Sequence, residues 1–145
     1  MAEPLLKVPM SARFGLVLLG VGISSAAFLL AGVLKLADLP GFYQSILNYS
    51  ILGPGAARLL AFYLPWLEIV AALAILTPTF RRAAAQLLFG LLVLFSLLTL
   101  YAWIVGLPPD CGCFGGLTSR FTSHAQHLLL NGALLLAAFL AALKR

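Results

Sequence analysis

Residues 14–34 read FGLVLLGVGISSAAFLLAGVL, an unbroken run from Phe14 to Leu34 with no charged side chain. At 1.5 Å of rise per helical residue, about twenty such residues cross a hydrocarbon core of roughly 30 Å. Lys7 and Arg13 precede the run much as a basic flank precedes a signal peptide. The run is longer than a signal peptide's apolar region, however, and Lys35 closes it without a small-residue cleavage site. It therefore reads as an uncleaved first membrane span.

Three more segments of the same kind follow, giving spans at about 14–35, 59–77, 83–106 and 124–143 of a single transmembrane domain, residues 1–145. The second carries Pro65 and Glu68 and ends at Thr77-Pro78, after which Arg81-Arg82 is expected to form a tight turn. Pro108-Pro109 stops the third, since proline removes a backbone donor and clashes with the preceding turn. The fourth ends before Lys144-Arg145. Loops at 37–58 and 107–123 join the spans on one side. In the first loop Phe42, Ile46, Leu47, Tyr49 and Ile51 suit a short amphipathic piece lying at the interface. The fold class expected is all-α, an integral membrane four-helix transmembrane bundle.

Composition agrees with this reading. Of 145 residues, 63% are hydrophobic and 9% charged, against roughly half and a quarter in soluble domains. That excludes a disordered chain and leaves no room for a soluble catalytic domain. The net charge of +5 comes from basic residues scattered at the ends of apolar runs. No basic and aromatic stripe marks a nucleic-acid partner; the basic residues fit the positive-inside rule. With both termini cytoplasmic, Lys7, Arg13, Arg81, Arg82, Lys144 and Arg145 lie inside, while Lys35, Arg58 and Arg120 lie outside. Tyr43, Tyr49, Tyr63, Trp66, Tyr101 and Trp103 then fall on or near the outer side, where amphipathic rings favour the headgroup layer. The expected location is the bacterial inner membrane, with the 107–123 loop facing the periplasm.

That loop holds the chain's two cysteines, Cys111 and Cys113, in Asp110-Cys111-Gly112-Cys113-Phe114-Gly115. Gly112 turns freely enough to bring the two sulfurs together. A bridge across so small a loop gains little from chain entropy and carries geometric strain, and strained, exposed disulfides are the exchangeable ones. The pattern points to dithiol–disulfide exchange, with a thiolate as the attacking species. Asp110 either opposes the Cys111 thiolate by like charge or accepts its proton; which cysteine attacks stays open.

Two other groupings bear on function. His124 and His127, spaced to share a helix face, would with Cys111 and Cys113 form a four-residue set for a soft or borderline metal such as Cu(I) or Zn. Glu68 lies well inside the second span, where a carboxylate needs a partner. Lys35 is its natural counter-ion, with Asp38 as a competitor, and the pair serves either to fix two helices or to relay protons. Pro65 is expected to kink the helix and open a small polar space nearby. Gly22, Ser25, Ala26 and Ala27 in the first span, and Ala71, Ala72 and Ala74 in the second, suit close helix approach. Asn131 is placed to hydrogen-bond across the bundle.

Taken in order, Ala31-Gly32-Val33-Leu34-Lys35-Leu36, Asp38, Gly41-Phe42, Leu64-Pro65-Trp66-Leu67-Glu68-Ile69 and Asp110-Cys111-Gly112-Cys113-Phe114-Gly115 resemble the methylamine-utilisation MauE family, part of a wider DoxX-like group. The resemblance implies a four-helix, redox-associated membrane protein working beside a periplasmic thioredoxin-like partner. The namesake proteins are implicated in maturation of the disulfide-rich small subunit of methylamine dehydrogenase. The family's motif residues fall on Lys35, Glu68, Cys111 and Cys113, with Gly112, Phe114 and Gly115 completing the loop motif. One departure is the Arg-Asn pair expected early in the last span, where this chain has Leu130-Asn131; the arginine's place is vacant or taken by His127 or Arg120.

The function expected is exchange of dithiol and disulfide equivalents with that partner, in support of disulfide formation or maturation of exported proteins. Such a thiol-disulfide oxidoreductase requires no resident cofactor, and a quinone is the candidate electron partner. Two alternatives belong to other classes: metal handling by the Cys and His set, or a non-catalytic assembly factor within a larger membrane complex.

Overall fold

A computed structural model describes residues 9–108 and 123–142. Among these residues all regular structure is helical: α1 (Met10–Ala37), α2 (Leu39–Asn48), α3 (Pro54–Ala74), α4 (Arg81–Val105) and α5 (His124–Ala142). Four of them, all but α2, are long and apolar enough to cross a membrane. Their outward faces carry large apolar side chains such as Leu19, Val70, Leu97 and Leu129, as lipid-facing surfaces do.

The helix boundaries follow local chemistry. Pro54 opens α3 in the first turn, where its missing N–H costs nothing, so the helix begins before the expected position 59 and carries Arg58 on its exposed side. Arg81 and Arg82 do not form the expected turn; they are the first residues of α4. The turn lies just before them, and Arg81 Nε donates to the carbonyl of Ile75 at 3.3 Å, placing a cation on the end of α3 where the helix dipole favours one. Gly106, at φ 77°, ends α4 in the left-handed conformation, and Leu107 N–H reaches back to the Ala102 carbonyl at 2.9 Å. Pro65 sits inside an unbroken α3 and is buried there.

α1 packs along both α3 and α5, and α4 packs along α5, whereas the α3–α4 seam is thin and α2 lies mainly against α3. Two glycines set the closest approaches. A side chain at Gly20 would place its Cβ 2.5 Å from the Ala137 carbonyl oxygen of α5. At Gly32 it would lie 2.9 Å from the Pro65 carbonyl oxygen and 2.7 Å from Ile69. Gly22 and Ala26, expected at an interface, face outward instead. Ser25 does bridge α1 to α3, its hydroxyl donating to the Ala72 carbonyl at 2.8 Å, and Ala71 and Ala72 are buried at that contact.

Candidate functional site

A buried ion pair at the centre of the bundle is built from four helices. Lys35 sits in the last turn of α1, a favourable end for a cation. Its Nζ donates to both carboxylate oxygens of Glu68 on α3, at 2.7 and 2.8 Å, with both side chains fully buried. Two phenyl rings flank the ammonium, Phe42 of α2 at 5.4 Å and Phe95 of α4 at 5.1 Å from ring centre to Nζ. Desolvated cation–π contacts of this kind help replace lost water. The pairing expected between Lys35 and Glu68 is thus present. Asp38 does not compete for the lysine: its Oδ1 accepts the Gly41 N–H at 3.0 Å and caps α2. A Cβ at Gly41 would run into that same carboxylate, which accounts for the glycine.

α5 supplies further polar side chains. His124, its first residue, lies flat against Trp103 near the end of α4, with ring centres 6.0 Å apart and planes 2° from parallel. This stack joins the last turn of α4 to the first residue of α5. His127 and Asn131 follow on the buried face of α5. Asp110, Cys111, Gly112, Cys113, Phe114, Gly115 and Arg120 lie outside the described residues, as do Lys7, Lys144 and Arg145. The metal set of Cys111, Cys113, His124 and His127 therefore falls half outside them. Among the described residues no three His, Cys, Asp or Glu gather to hold a metal ion.

Two features of this region are not legible in the sequence. The phenyl rings of Phe42 and Phe95 belong to the ion-pair site, although the sequence pattern assigns Phe42 only to an interfacial piece. The Trp103–His124 stack is equally hidden, because the two residues are distant in the chain and stacking leaves no periodic trace. A third element is an apolar groove of about 240 Å³ along the thin α3–α4 seam, walled by Phe42, Tyr49, Leu64, Leu94, Phe95 and Leu98. Phe42 and Phe95 are shared between this groove and the lysine, so the ion pair lies directly behind the groove's aromatic wall.

Four apolar helices organised around a buried ion pair define a multi-pass membrane protein. A family model described as methylamine utilisation protein MauE matches residues 12–144, and the chain belongs to that family. The methylamine utilization protein MauE of Methylophilus methylotrophus is 30% identical over 132 residues, covering 88% of this chain and 65% of the relative. The chain thus spans just under two thirds of the length of the curated relative it matches. No solved structure matches it.

Proposed function

We propose that this protein exchanges dithiol and disulfide equivalents through Cys111 and Cys113 with a thioredoxin-like protein on the periplasmic side of a bacterial inner membrane. The observation that carries the reading is the cysteine pair itself: the chain's two cysteines, one glycine apart, in a segment between the ends of α4 and α5. In the exchange, a thiolate of the reduced pair attacks the partner's disulfide. A mixed S–S bond forms as the partner's other sulfur leaves as a thiolate, and the second cysteine then displaces the partner. The partner ends as a dithiol and the Cys111–Cys113 pair as a disulfide; the reverse sequence oxidises the partner. Asp110 is the adjacent group for the thiol proton. The Lys/Arg bias supports cytoplasmic termini.

Returning the pair to its starting state needs a second two-electron couple, and we assign this to a membrane quinone. The groove at the α3–α4 seam fits such a molecule in chemistry, being apolar with aromatic walls and exposed rim residues such as Leu60 and Leu94. The relative's name supports methylamine utilisation as the pathway served, and the task assigned within it is maturation of exported, disulfide-containing proteins.

The test is trapping. Cys111→Ser and Cys113→Ser variants are expressed in their native host, free thiols are blocked in acid, and complexes are resolved without reductant. One of the two variants is expected to accumulate a reductant-sensitive complex with a thioredoxin-fold protein. If neither does, and the Cys111→Ala/Cys113→Ala variant still supports growth on methylamine, the protein acts as an assembly factor and the exchange reading is wrong.

A further inference from the structure

Asn131 is 3% exposed, and its Nδ2 has no hydrogen-bond partner among the described residues. A buried amide N–H in this state is strongly disfavoured, because it has given up water and received nothing in return. The same side chain borders a small space between α1, α3, α4 and α5. Ala27 and Ala31, Leu92 and Phe95 supply its apolar walls, and Glu68 faces it alongside Asn131. The centre of a water-sized sphere can move over about 10 Å³ inside it, which is the room that one water molecule requires. Glu68 has capacity to spare: each of its oxygens accepts one bond from Lys35, and a carboxylate oxygen can accept a second.

We propose that this space is a binding site for one internal water molecule, which accepts from Asn131 Nδ2 and donates to the Glu68 carboxylate. Two polar partners meet the minimum for an ordered buried water, and both are held by helices rather than loops. The water joins α5 to an ion pair whose own hydrogen bonds link only α1 and α3. Asn131 thereby becomes a positioning residue for Glu68. Because α5 begins where the cysteine-bearing segment ends, a shift of α5 alters the hydrogen bonding of Glu68 without any direct contact between them. The water site stands or falls separately from thiol exchange, since its test involves neither cysteine.

The experiment uses the full-length ¹⁵N-labelled protein in phosphatidylcholine/phosphatidylglycerol bilayers. Magnetisation is transferred from water protons to side-chain amide nitrogens by solid-state NMR, with Asn131→Leu identifying the Asn131 signal. The expected result is transfer to the buried Asn131 amide at a rate comparable with exposed Asn48. No transfer to Asn131 would overturn the proposal. The melting temperature of Asn131→Leu gives a second reading with opposite signs for the two cases. Leucine fills a dry cavity and removes an unsatisfied donor, so a variant as stable as the parent, or more so, would also overturn it. A lowered melting temperature is expected if leucine displaces a bridging water. Should the variant fail to fold, selective labelling of asparagine in the parent protein identifies the signal, and the transfer measurement decides.

Discussion

Splitting the Lys35–Glu68 pair should be far more damaging than deleting it. Both side chains are fully buried, and both carboxylate oxygens lie within 2.8 Å of Nζ. Removing one partner therefore leaves an uncompensated charge inside the bundle, at a cost of about 3–5 kcal/mol in comparable buried pairs. Membrane insertion scales give a similar figure, roughly 2.5–3.5 kcal/mol for a lone charged residue at mid-span. Glu68→Gln should fall at the low end, since the glutamine oxygen still accepts from Lys35 and the Phe42 and Phe95 rings still flank the ammonium. Lys35→Met should fall higher, because a bare carboxylate is left facing those rings. The double variant Lys35→Met/Glu68→Leu removes both charges and is expected within about 1.5 kcal/mol of the parent, as volume-conserving apolar replacements usually are. The assay is reversible unfolding in mixed micelles, with sodium dodecyl sulfate raised against a mild detergent and helix content followed by circular dichroism. The parent, Lys35→Met, Glu68→Leu and the double variant form a double-mutant cycle whose coupling should be several kcal/mol and nearly independent of salt, since a buried pair is little screened. A double variant as unstable as the two single effects combined would refute the reasoning.

Two further comparisons probe helix packing, one of them at the pair. Gly20→Ala should destabilise by about 1–3 kcal/mol, because the new Cβ meets the α5 backbone and forces the helices apart; Gly22→Ala, two residues away in open space, should be neutral or stabilising by up to about 1 kcal/mol through helix propensity. The same micelle titration measures both, and equal effects would remove the case for a Gly20 contact. Phe42→Leu should lose about 0.5–2 kcal/mol through its contact with the ammonium. Repeated in a Lys35→Met background, the loss should shrink, and an unchanged loss would mean that the ring only packs.

Much of this architecture is legible in the sequence because membrane spans obey one dominant constraint. Apolar runs of sufficient length must be helical, so four spans follow from Phe14–Leu34 and its three counterparts. A carboxylate within a span must find a partner, so Glu68 points to Lys35 on the amino-acid pattern alone. What the sequence obscures are choices between chemically equivalent candidates. Asp38 and Glu68 are both carboxylates within reach of Lys35 in sequence terms, and only the start of α2 at Leu39 shows that Asp38 is engaged as a cap. Gly20 and Gly22 differ by two positions in one helix, yet about 200° of rotation separates them, and only the placement of α5 shows which one is crowded. Arg81 resembles a turn residue because charge usually marks a loop. Its engagement with the Ile75 carbonyl depends on the end of a different helix.

Within lipid, apolar side chains have nothing to gain from leaving water, so helix association rests on close packing and on polar contacts. Both kinds of contact occur along α1. At Gly20 backbones touch and the contact with α5 is purely steric; further along the helix, Lys35 makes an ionic contact with α3. Steric contacts tolerate small shifts in register, whereas an ammonium centred on two carboxylate oxygens and flanked by two rings does not. The ion pair therefore fixes α1, α2, α3 and α4 at one level, and Asn131 brings α5 to that level through its shared cavity with Glu68. Such a pair is a poor source of stability compared with well-packed leucine, but it is an effective way to specify one register.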